Sequence, residues 1–350
     1  MKTLFTGGGT MGPVMPLLAV HEALKKSDPS LEGVWIGTRQ GPERAVVEAA
    51  GFSFFALPTA RLSRSFRLEW LLLPFLFCSA LVSAARIIRA QEPDVVGSAG
   101  GYTAVPVVIA ARMLGVPVWV HSQDVHVTLT TRLTAPFARR VTAAWEASAR
   151  VLGAKARVVG NPVRRSILMG SKPRVWERFA LDREKPTVVI FGGGTGAAWL
   201  NDRTGEIAER LTRSVNVVHL TGSGKGRALP RLEHYAVREF LREDMADALA
   251  VADLVVCRAG MGTITELAAL GKPAVLIPLP DSAQEENAAA VQDACVVLDQ
   301  RATTSNKLLE TIERLLHDPE RRRALGEQMR RALRTDIADE LAAMLAGMEK

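Results

Sequence analysis

Short apolar runs alternate with longer helix-like stretches along the first half of the chain. The runs are bounded by turn residues and rich in branched and aromatic side chains, which is typical of buried strands. Strands are predicted at residues 3–6, 33–37, 52–57, 95–98, 116–121 and 158–159. The amphipathic or apolar stretches between them predict helices, among them residues 17–26, 40–50, 72–90 and 105–114.

The same alternation starts again in the second half, with strands predicted at residues 187–191, 215–220, 254–257, 274–278 and 295–298. Strands separated by helices form parallel sheets covered by helices on both faces. We therefore predict an α/β protein of two doubly wound, Rossmann-like domains. The length of 350 residues agrees, because a single core rarely grows beyond about 250–300 residues. The breaker-rich segment Gly160-Asn161-Pro162 is the predicted hinge.

Each predicted domain opens with a strand that runs into Gly-Gly-Gly-Thr and then into a helix, at residues 5–10 and 190–195. Glycines let backbone N–H groups approach a ligand, and the N-terminus of a helix favours an anion. Residues 7–12 and 192–197 match the dinucleotide fingerprint, but the acidic residue expected at the end of the second strand is missing in both domains. A nicotinamide or flavin enzyme is therefore disfavoured.

Charge separates the two halves of the chain. The net charge is +7 and the pI is near 9.6. Residues 1–165 hold 19 Lys and Arg against 10 Asp and Glu, whereas the remainder holds 25 against 27. A basic half predicts an anionic partner, such as nucleic acid, a phosphorylated ligand or an acidic membrane, with solubility as the alternative explanation.

The cysteines and the N-terminus bear on location. Cys78, Cys257 and Cys295 are odd in number and too far apart for a zinc or redox motif, which fits a reducing cytosol. The opening MKTLFTGGGT lacks the apolar core and cleavage site of a signal peptide. We expect the protein to be made and kept in the cytoplasm.

Residues 70–85 are 16 consecutive uncharged residues bracketed by arginines. A spanning helix needs about 20 apolar residues, and Pro74 would interrupt this one. We expect partial insertion into an anionic membrane interface. The alternative is a buried core helix whose flanking arginines snorkel. The predicted membrane residues are Trp70, Leu73, Phe75, Phe77, Arg64, Arg67 and Arg86.

Polar residues concentrate in the second half, where residues 257–266 read as a strand, a glycine-rich turn and a helix. The first turn of that helix is suited to a diphosphate. Glu266 is placed to accept hydrogen bonds from a ribose, and Gln284 and Asn287 share one helix face that is suited to sugar hydroxyls. The alternative is that Glu266 only stabilises the helix start and that Gln284 and Asn287 are solvated surface residues.

A series of motifs runs through both halves in order. They are TGGGTMG at 6–12, Gly100-Gly101-Tyr102 before Pro106, His121-Ser122-Gln123-Asp124, Gly160-Asn161-Pro162-Val163-Arg164, GGGTGAAWLN at 192–201, Glu239-Phe240 before Asp244-Met245, the segment 257–266 and QEENA at 284–288. On these motifs the chain resembles, over nearly its whole length, the MurG-like glycosyltransferases of family 28. That family has the GT-B fold, in which two Rossmann-like domains are separated by a cleft.

The resemblance implies an inverting transfer of N-acetylglucosamine from UDP-GlcNAc to undecaprenyl-pyrophosphoryl-MurNAc-pentapeptide, the conversion of lipid I to lipid II in peptidoglycan synthesis. Residues 1–162 would bind the lipid-pyrophosphate acceptor and an anionic membrane surface, and residues 163–335 would bind UDP-GlcNAc. Residues 336–350 would form a helix that packs back on the first domain. The resemblance further implies a peripheral protein on the cytoplasmic face of the membrane, with no metal, other cofactor or nucleic acid.

Roles for single residues follow from the same resemblance. Phe240 and the backbone beside Leu241 would lie near the uracil, Glu266 on the ribose, and Gln284 and Asn287 on the GlcNAc. The full set of expected donor-binding residues is Arg164, Gly192, Gly193, Gly194, Thr195, Phe240, Leu241, Arg258, Gly260, Gly262, Thr263, Glu266, Gln284 and Asn287. The expected acceptor-binding residues are Gly8, Gly9, Thr10, Gly12 and Tyr102.

The chain departs from the family pattern on the acceptor side. Pro13 stands where the first loop of the family has a histidine, a candidate general base, and Ser122 and Asp124 stand where the family has Glu and Asn. The second loop, GGGTGA in place of GGSQGA, loses a serine hydroxyl that would touch phosphate. A general base contributes about 10²–10⁴-fold, so its loss need not abolish catalysis. We expect Asp124 to act as the base, with His121 as the second choice.

Two further functions remain open. The first is a family 28 glycosyltransferase with a different lipid or small-molecule acceptor, because the altered residues fall mostly in acceptor-side loops. The second is a catalytically silent paralogue that binds UDP-sugar or membrane as a scaffold. Pro13 and Ser122 favour the silent paralogue, whereas the intact Arg258, Glu266 and Gln284 argue against lost donor binding.

Overall fold

The structure is a computed structural model that describes residues 1–58, 73–194, 196–226, 229–241 and 244–348. Contacts within the chain divide it into two compact units. Unit 1 is Met1–Arg164 together with Asp336–Lys350, and unit 2 is Arg165–Thr335. The boundary follows Arg164, whereas the sequence places it after residue 162.

The described part of unit 1 contains a parallel sheet of seven strands in the order β3-β2-β1-β4-β5-β6-β7. The strands are β1 Lys2–Thr6, β2 Glu32–Thr38, β3 Ser53–Leu57, β4 Val95–Ser98, β5 Val118–Ser122, β6 Arg140–Ala143 and β7 Ala156–Val158. The helices that connect them are α1 Met15–Ser27, α2 Glu43–Ala49, α3 Leu73–Gln91, α4 Ala104–Met113, α5 Leu129–Thr134 and α6 Glu146–Leu152.

Both faces of this sheet are covered. Phe5 and Trp35 point to the face that carries α1, whereas their neighbours Leu4 and Ile36 point to the face that carries α3 and α4. This alternation is the ordinary consequence of strand geometry. Because both faces are buried, the strands are nearly continuous apolar runs, which is the signal by which the sequence predicts them.

Unit 2 repeats the design over its described residues, with six parallel strands in the order β10-β9-β8-β11-β12-β13. The strands are β8 Thr187–Phe191, β9 Asn216–Leu220, β10 Tyr235–Arg238, β11 Leu254–Cys257, β12 Ala274–Leu276 and β13 Val296–Val297. The helices are α7 Lys172–Phe179, α8 Ala198–Leu211, α9 Met245–Val251, α10 Met261–Leu270, α11 Ala283–Ala290, α12 Ser305–Leu316 and α13 Pro319–Ala332.

The prediction of two doubly wound α/β units with parallel sheets is confirmed. The prediction missed two strands, β6 with the sequence RVTA and β10 with the sequence YAVR. Each is four residues long and contains an arginine, so neither forms an apolar run. Their place in the sheets comes from pairing with longer neighbours, β6 with β5 and β10 with β9.

The last helix, α14 Ala338–Ala346, packs against α1 in unit 1. Its apolar face is fully buried there through Ile337, Leu341 and Leu345. The exposed pair Lys26–Asp339, at 3.9 Å, adds little, because surface ion pairs contribute about 0–1 kcal/mol. Apolar contact therefore attaches α14 to unit 1.

His21, on α1, is buried against Phe52, with 4.0 Å between ring centroids. Neither ring nitrogen has a hydrogen-bond partner among the described residues. Burial, aided by the charge of Lys25, lowers the pKa of His21 from 6.5 to about 4. The folded protein therefore holds a neutral imidazole that the unfolded chain would protonate at higher pH.

We expect this imidazole to make the protein acid-sensitive. Its contribution to stability is complete above pH 6.5 and is lost as the pH falls toward about 4, because the unfolded chain then binds a proton that the folded chain excludes. Replacing His21 by Leu should shrink the drop in melting temperature between about pH 7 and about pH 5 by about a third. Burial also lowers the pKa values of His121 and His219 to about 4, so these two histidines should contribute to the drop in the same way.

The matched control is His317→Gln, which changes an exposed histidine at the end of α12 and should keep the wild-type drop. A His21→Leu protein with an undiminished drop would contradict the assignment.

Candidate active site

The predicted acceptor residues lie where the strand order of unit 1 reverses. β1 and β4 are neighbours, with Thr6 paired to Ser98, yet their following loops lead to helices on opposite faces. In open parallel sheets this switch point, beyond the carboxyl ends of the strands, is where ligands bind. The loop after β1 carries residues 7–12, and the loop after β4 carries residues 99–103.

These two loops touch through their glycines. A Cβ on Gly101, which has a φ of +86°, would lie 2.8 Å from the Gly8 nitrogen. A Cβ on Gly9, with a φ of +83°, would lie 2.5 Å from a ring carbon of Tyr102. Gly101 therefore lies against the backbone of Gly8, and Gly9 lies against the ring of Tyr102, at distances that only glycine allows. The structure thus gathers Gly8, Gly9 and Tyr102 at one place.

The rest of the acceptor-side loop extends this group. Thr10 is exposed, and Gly12 lies against Gln123, whose Nε2 would be 3.2 Å from a Cβ on the glycine. Pro13 sits in the first turn of a 3-10 helix, Gly12–Val14, where the missing N–H of proline is tolerated. Gln123 is buried, and its Oε1 has no partner among the described residues.

His121 and Asp124, the two candidate bases, differ in their surroundings. The Nε2–H of His121 donates to Asn161 Oδ1 at 2.9 Å, and its Nδ1 accepts from the Thr142 hydroxyl at 2.9 Å. That hydroxyl accepts in turn from the indole N–H of Trp119. Burial lowers the pKa of His121 to about 4, with partial opposition from the Asn161 bond. His121 is thus buried, neutral and bonded at both nitrogens, whereas Asp124 is only half-buried.

The predicted donor residues lie at the matching switch point of unit 2, between β8 and β11. Phe191 and Cys257 pair at the carboxyl ends of these strands, and residues 192–197 and 258–260 follow them. A Cβ on Gly193 or Gly260 would meet no described residue within 4 Å, so within the described part of the chain this backbone is open. Thr195 lies outside the described residues.

Two helix N-termini open at this edge of unit 2. α8 begins after Ala197 and α10 begins after Gly260, and no described side chain caps either helix. Their first-turn N–H groups, including those of Gly262 and Thr263, therefore present partial positive charge without a side-chain acceptor. The arrangement is suited to an anion such as a diphosphate.

Arg258 lies in the floor of this site. It is buried and donates to the carbonyl oxygens of Ile277 at 3.0 Å and Pro278 at 3.2 Å, and to Gln300 Oε1 at 2.5 Å. Its guanidinium lies 6.0 Å from the centre of the Trp199 ring. Burial lowers its pKa. These contacts make Arg258 a brace that ties α8, the end of β12 and the segment before α12 to the glycine turn.

The helix after β12 carries the two predicted sugar-binding residues. Gln284 Oε1 accepts from the Leu279 N–H at 3.0 Å, which occupies one end of its amide. Asn287 is buried, and its Nδ2 donates to the Ala259 carbonyl at 3.4 Å. Glu266 is half-buried on α10. Asn287 therefore contacts the 258–260 turn directly, whereas Gln284 contacts the segment that follows β12.

The remaining donor residues are more dispersed. Phe240 is exposed and Leu241 is buried, just beyond the carboxyl end of β10. Gly192 and Gly194 belong to the turn after β8. Arg164 ends the first segment of unit 1 and is not a member of unit 2.

A second buried histidine network is centred on His219 in unit 2. No role was predicted for it from the sequence. The Nε2–H of His219 donates to Asn201 Oδ1 at 3.0 Å, and its Nδ1 accepts from the Tyr235 hydroxyl at 2.7 Å. Asn201 also donates to the Thr221 carbonyl at 3.0 Å. Burial lowers the pKa of His219 to about 4 and raises that of Tyr235. The available signal was Asn201, which ends the GGGTGAAWLN motif.

The predicted membrane residues are only partly described. Trp70, Arg64 and Arg67 lie outside the described residues, and Leu73 is the first residue of α3. Within α3, Ala80, Ala84 and Ile88 are buried, whereas Phe75 is 75%, Phe77 39% and Val82 50% exposed. Arg86 is exposed as well. In the described part of the chain, no helix combines the length and apolarity that crossing a bilayer requires.

Two family descriptions match the chain over both switch points. The glycosyltransferase family 28 N-terminal domain matches residues 3–143, and the glycosyltransferase family 28 C-terminal domain matches residues 187–341. The chain belongs to glycosyltransferase family 28.

Similar proteins show which members of family 28 this chain resembles. The UDP-N-acetylglucosamine–N-acetylmuramyl-(pentapeptide) pyrophosphoryl-undecaprenol N-acetylglucosamine transferase 3 of Bacillus thuringiensis (strain Al Hakam) is 34% identical over 328 residues, covering 91% of this chain and 92% of that protein. A transferase of the same name, without the final number, from Desulforamulus reducens is 31% identical over 97% of each chain. The structure of Acinetobacter baumannii MurG matches with a TM-score of 0.72 at 24% identity, covering 99% of each chain. The predicted GT-B fold and MurG-like family are confirmed.

The brace formed by Arg258 is testable. A lysine at this position keeps the charge but carries its donors on one nitrogen, whereas two guanidinium nitrogens of Arg258 make these bonds. Arg258→Lys should cost about 2 kcal/mol, lower the melting temperature of unit 2 by about 5 °C and speed hydrogen exchange in residues 277–284. Arg213→Lys, at an exposed arginine of unit 2, is the matched control. Exchange rates equal to those of the control would refute the brace.

Proposed function

We propose that this protein transfers N-acetylglucosamine from UDP-GlcNAc to undecaprenyl-pyrophosphoryl-MurNAc-pentapeptide, converting lipid I to lipid II in peptidoglycan synthesis. The observation that carries the proposal is the switch point of unit 2, where the N-terminus of α10 opens without a side-chain cap in the described residues, directly after the turn to which Asn287 and Arg258 belong by contact and by sequence. Relatives that bear the name of this activity match the chain over more than nine-tenths of its length.

On the donor side, the first-turn N–H groups of α10 and the open backbone at Gly193 would hold the diphosphate. Glu266 would accept hydrogen bonds from the ribose, and the exposed ring of Phe240 would lie on the uracil. Gln284 would reach the GlcNAc through its Nε2, because its Oε1 is already bonded to Leu279. Asn287 is not exposed. It would support the turn through the hydrogen bond that it donates to the Ala259 carbonyl.

On the acceptor side, Asp124 would take the proton from the attacking hydroxyl. The oxygen then forms a bond to the anomeric carbon of GlcNAc as the bond from that carbon to the diphosphate breaks on the opposite face, which inverts the configuration. UDP leaves with the bonding electrons. Preorganised N–H groups at the helix N-termini stabilise the developing charge.

The proposal includes no metal. The helix N-termini and the backbone of the glycine turns supply the stabilisation that the departing diphosphate needs.

We also propose that the protein lies at the cytoplasmic face of the membrane as a peripheral protein. Support comes from α3, whose face with Ala84 and Ile88 is buried in unit 1 while Phe75 and Val82 lie on the opposite face and are exposed. Phe77, in the first turn of the helix, is 39% exposed. Arg86 and Arg89 are exposed on the same helix and would meet anionic headgroups. Such a helix adsorbs to the interface through apolar area and charge together.

One observation favours a different acceptor as the second candidate. Pro13 and Ser122 alter the acceptor-side loops, whereas the donor side keeps Glu266, Arg258 and Gln284. A chain with such changes would keep UDP-GlcNAc as its donor and use another acceptor in place of the lipid-linked MurNAc-pentapeptide. A silent scaffold would bind UDP-GlcNAc without transfer.

Purified protein incubated with labelled UDP-GlcNAc and lipid I tests the activity. We expect labelled lipid II to form. Donor hydrolysis, or transfer only to another acceptor, would contradict the lipid I assignment and support the second candidate. Donor binding without turnover would support the scaffold.

The base is tested in the same assay. Asp124→Asn removes the proton acceptor and should lower kcat by about 10²–10⁴-fold, with the KM for UDP-GlcNAc unchanged. Asp202→Asn, at an exposed aspartate on α8, is the matched control. A kcat of Asp124→Asn within about threefold of wild type would exclude Asp124 as the base.

Flotation with anionic vesicles tests the membrane face. Changing Phe75 and Phe77 together to Ser should weaken vesicle binding by about a hundredfold or more, because each buried aromatic side chain contributes about 1.5–3 kcal/mol. Val151→Ser, at a residue 57% exposed on α6, controls for the loss of any exposed apolar side chain. Binding of the double variant equal to that of the control would refute the proposed face.

A further inference from the structure

Glu43, the first residue of α2, is fully buried. Its Oε1 accepts from the N–H and the hydroxyl of Thr38 at 2.7 and 2.5 Å, and its Oε2 accepts from the N–H of Gly9 at 3.2 Å. Thr38 ends β2, and Gly9 belongs to the loop after β1. One carboxylate therefore ties the ends of two neighbouring strands together, and these donors offset the cost of burying it.

Three glycines from three segments surround this carboxylate. A Cβ on Gly8 or on Gly41 would overlap the carboxylate oxygens, and a Cβ on Gly37 would lie 3.1 Å from Oε1. Gly8 follows β1, Gly37 lies in β2 and Gly41 lies between β2 and α2. The carboxylate therefore fits here only because three separate positions are glycines and carry no side chain.

The position of Glu43 changes what the first glycine loop offers a ligand. In nucleotide-binding loops the backbone N–H groups face the phosphates of the ligand. Here the N–H of Gly9 points into the protein, toward Glu43, and is already occupied. The carboxylate therefore fixes the loop in one conformation before a ligand arrives, which lowers the ordering cost of binding.

We propose that Glu43 is a positioning residue of the acceptor site, which holds residues 8–10 in the conformation that the acceptor diphosphate meets, without touching the acceptor. The inference rests on the proposed function, in which this loop of unit 1 binds the lipid-linked acceptor. Acceptor binding depends on Glu43, whereas donor binding does not, because the donor residues at the β8 and β11 switch point belong to unit 2.

The test is Glu43→Gln. A glutamine keeps one oxygen, which continues to accept from the two Thr38 donors, but it presents an NH2 group to the N–H of Gly9. Only the loop contact is lost. We expect faster amide hydrogen exchange in residues 7–12, an acceptor KM raised about tenfold and a KM for UDP-GlcNAc within about twofold of wild type.

Glu48→Gln, an exposed glutamate on the same helix, is the matched control and should behave as wild type. Gly41→Ala is a second way to disturb the same contact without removing the charge, because its Cβ would overlap both the oxygen that accepts from Gly9 and the Thr38 hydroxyl. It should reproduce the exchange and KM changes of Glu43→Gln, so the proposal stays testable if one variant fails to fold.

Loop exchange and acceptor KM equal to those of Glu48→Gln would overturn the proposal, and so would an equal rise of the donor and acceptor KM values. The exchange measurement needs no substrate. It decides whether Glu43 fixes the loop even if the wild-type protein transfers nothing to lipid I, an outcome that would overturn the proposed function alone.

Discussion

The parallel register of the two sheets is the constraint on which the rest of the structure depends. Parallel strands end at a common edge, and the strand order reverses once in each unit, between β1 and β4 and between β8 and β11. Loops that lie far apart in sequence therefore meet at one place in each unit. The glycines at these edges let the loops approach. The N-termini of α8 and α10, which no described side chain caps, supply the attraction for anions.

The loops are held by buried polar groups rather than by the ligand-facing residues themselves. In unit 1, His121 joins β5 to Asn161, and Glu43 joins β2 to Gly9. In unit 2, His219 joins β9 to α8 through Asn201, and Arg258 braces the glycine turn. Both histidines stay neutral because burial lowers their pKa values to about 4, and satisfied networks of this kind fix one conformation.

Sequence patterns predicted most of the fold and the glycine-rich turns at both switch points, for a physical reason. Strands buried on both faces are apolar runs, and glycine turns before helices are local signals. The patterns missed β6 and β10, whose positions come from pairing with their neighbours. They also missed Glu43, because the bond from Glu43 to Gly9 joins residues 34 positions apart and no local pattern records it. The roles of the candidate site residues stay predictions.

The central claim is that the donor occupies the switch point of unit 2 and the acceptor that of unit 1. Amide hydrogen exchange of the whole protein, with and without substrates, tests it most directly. UDP-GlcNAc should protect residues 192–197 and 258–263 and leave residues 7–12 and 99–103 unchanged, and lipid I should protect the latter two segments. Protection of residues 7–12 by UDP-GlcNAc, or no protection in unit 2, would contradict the account.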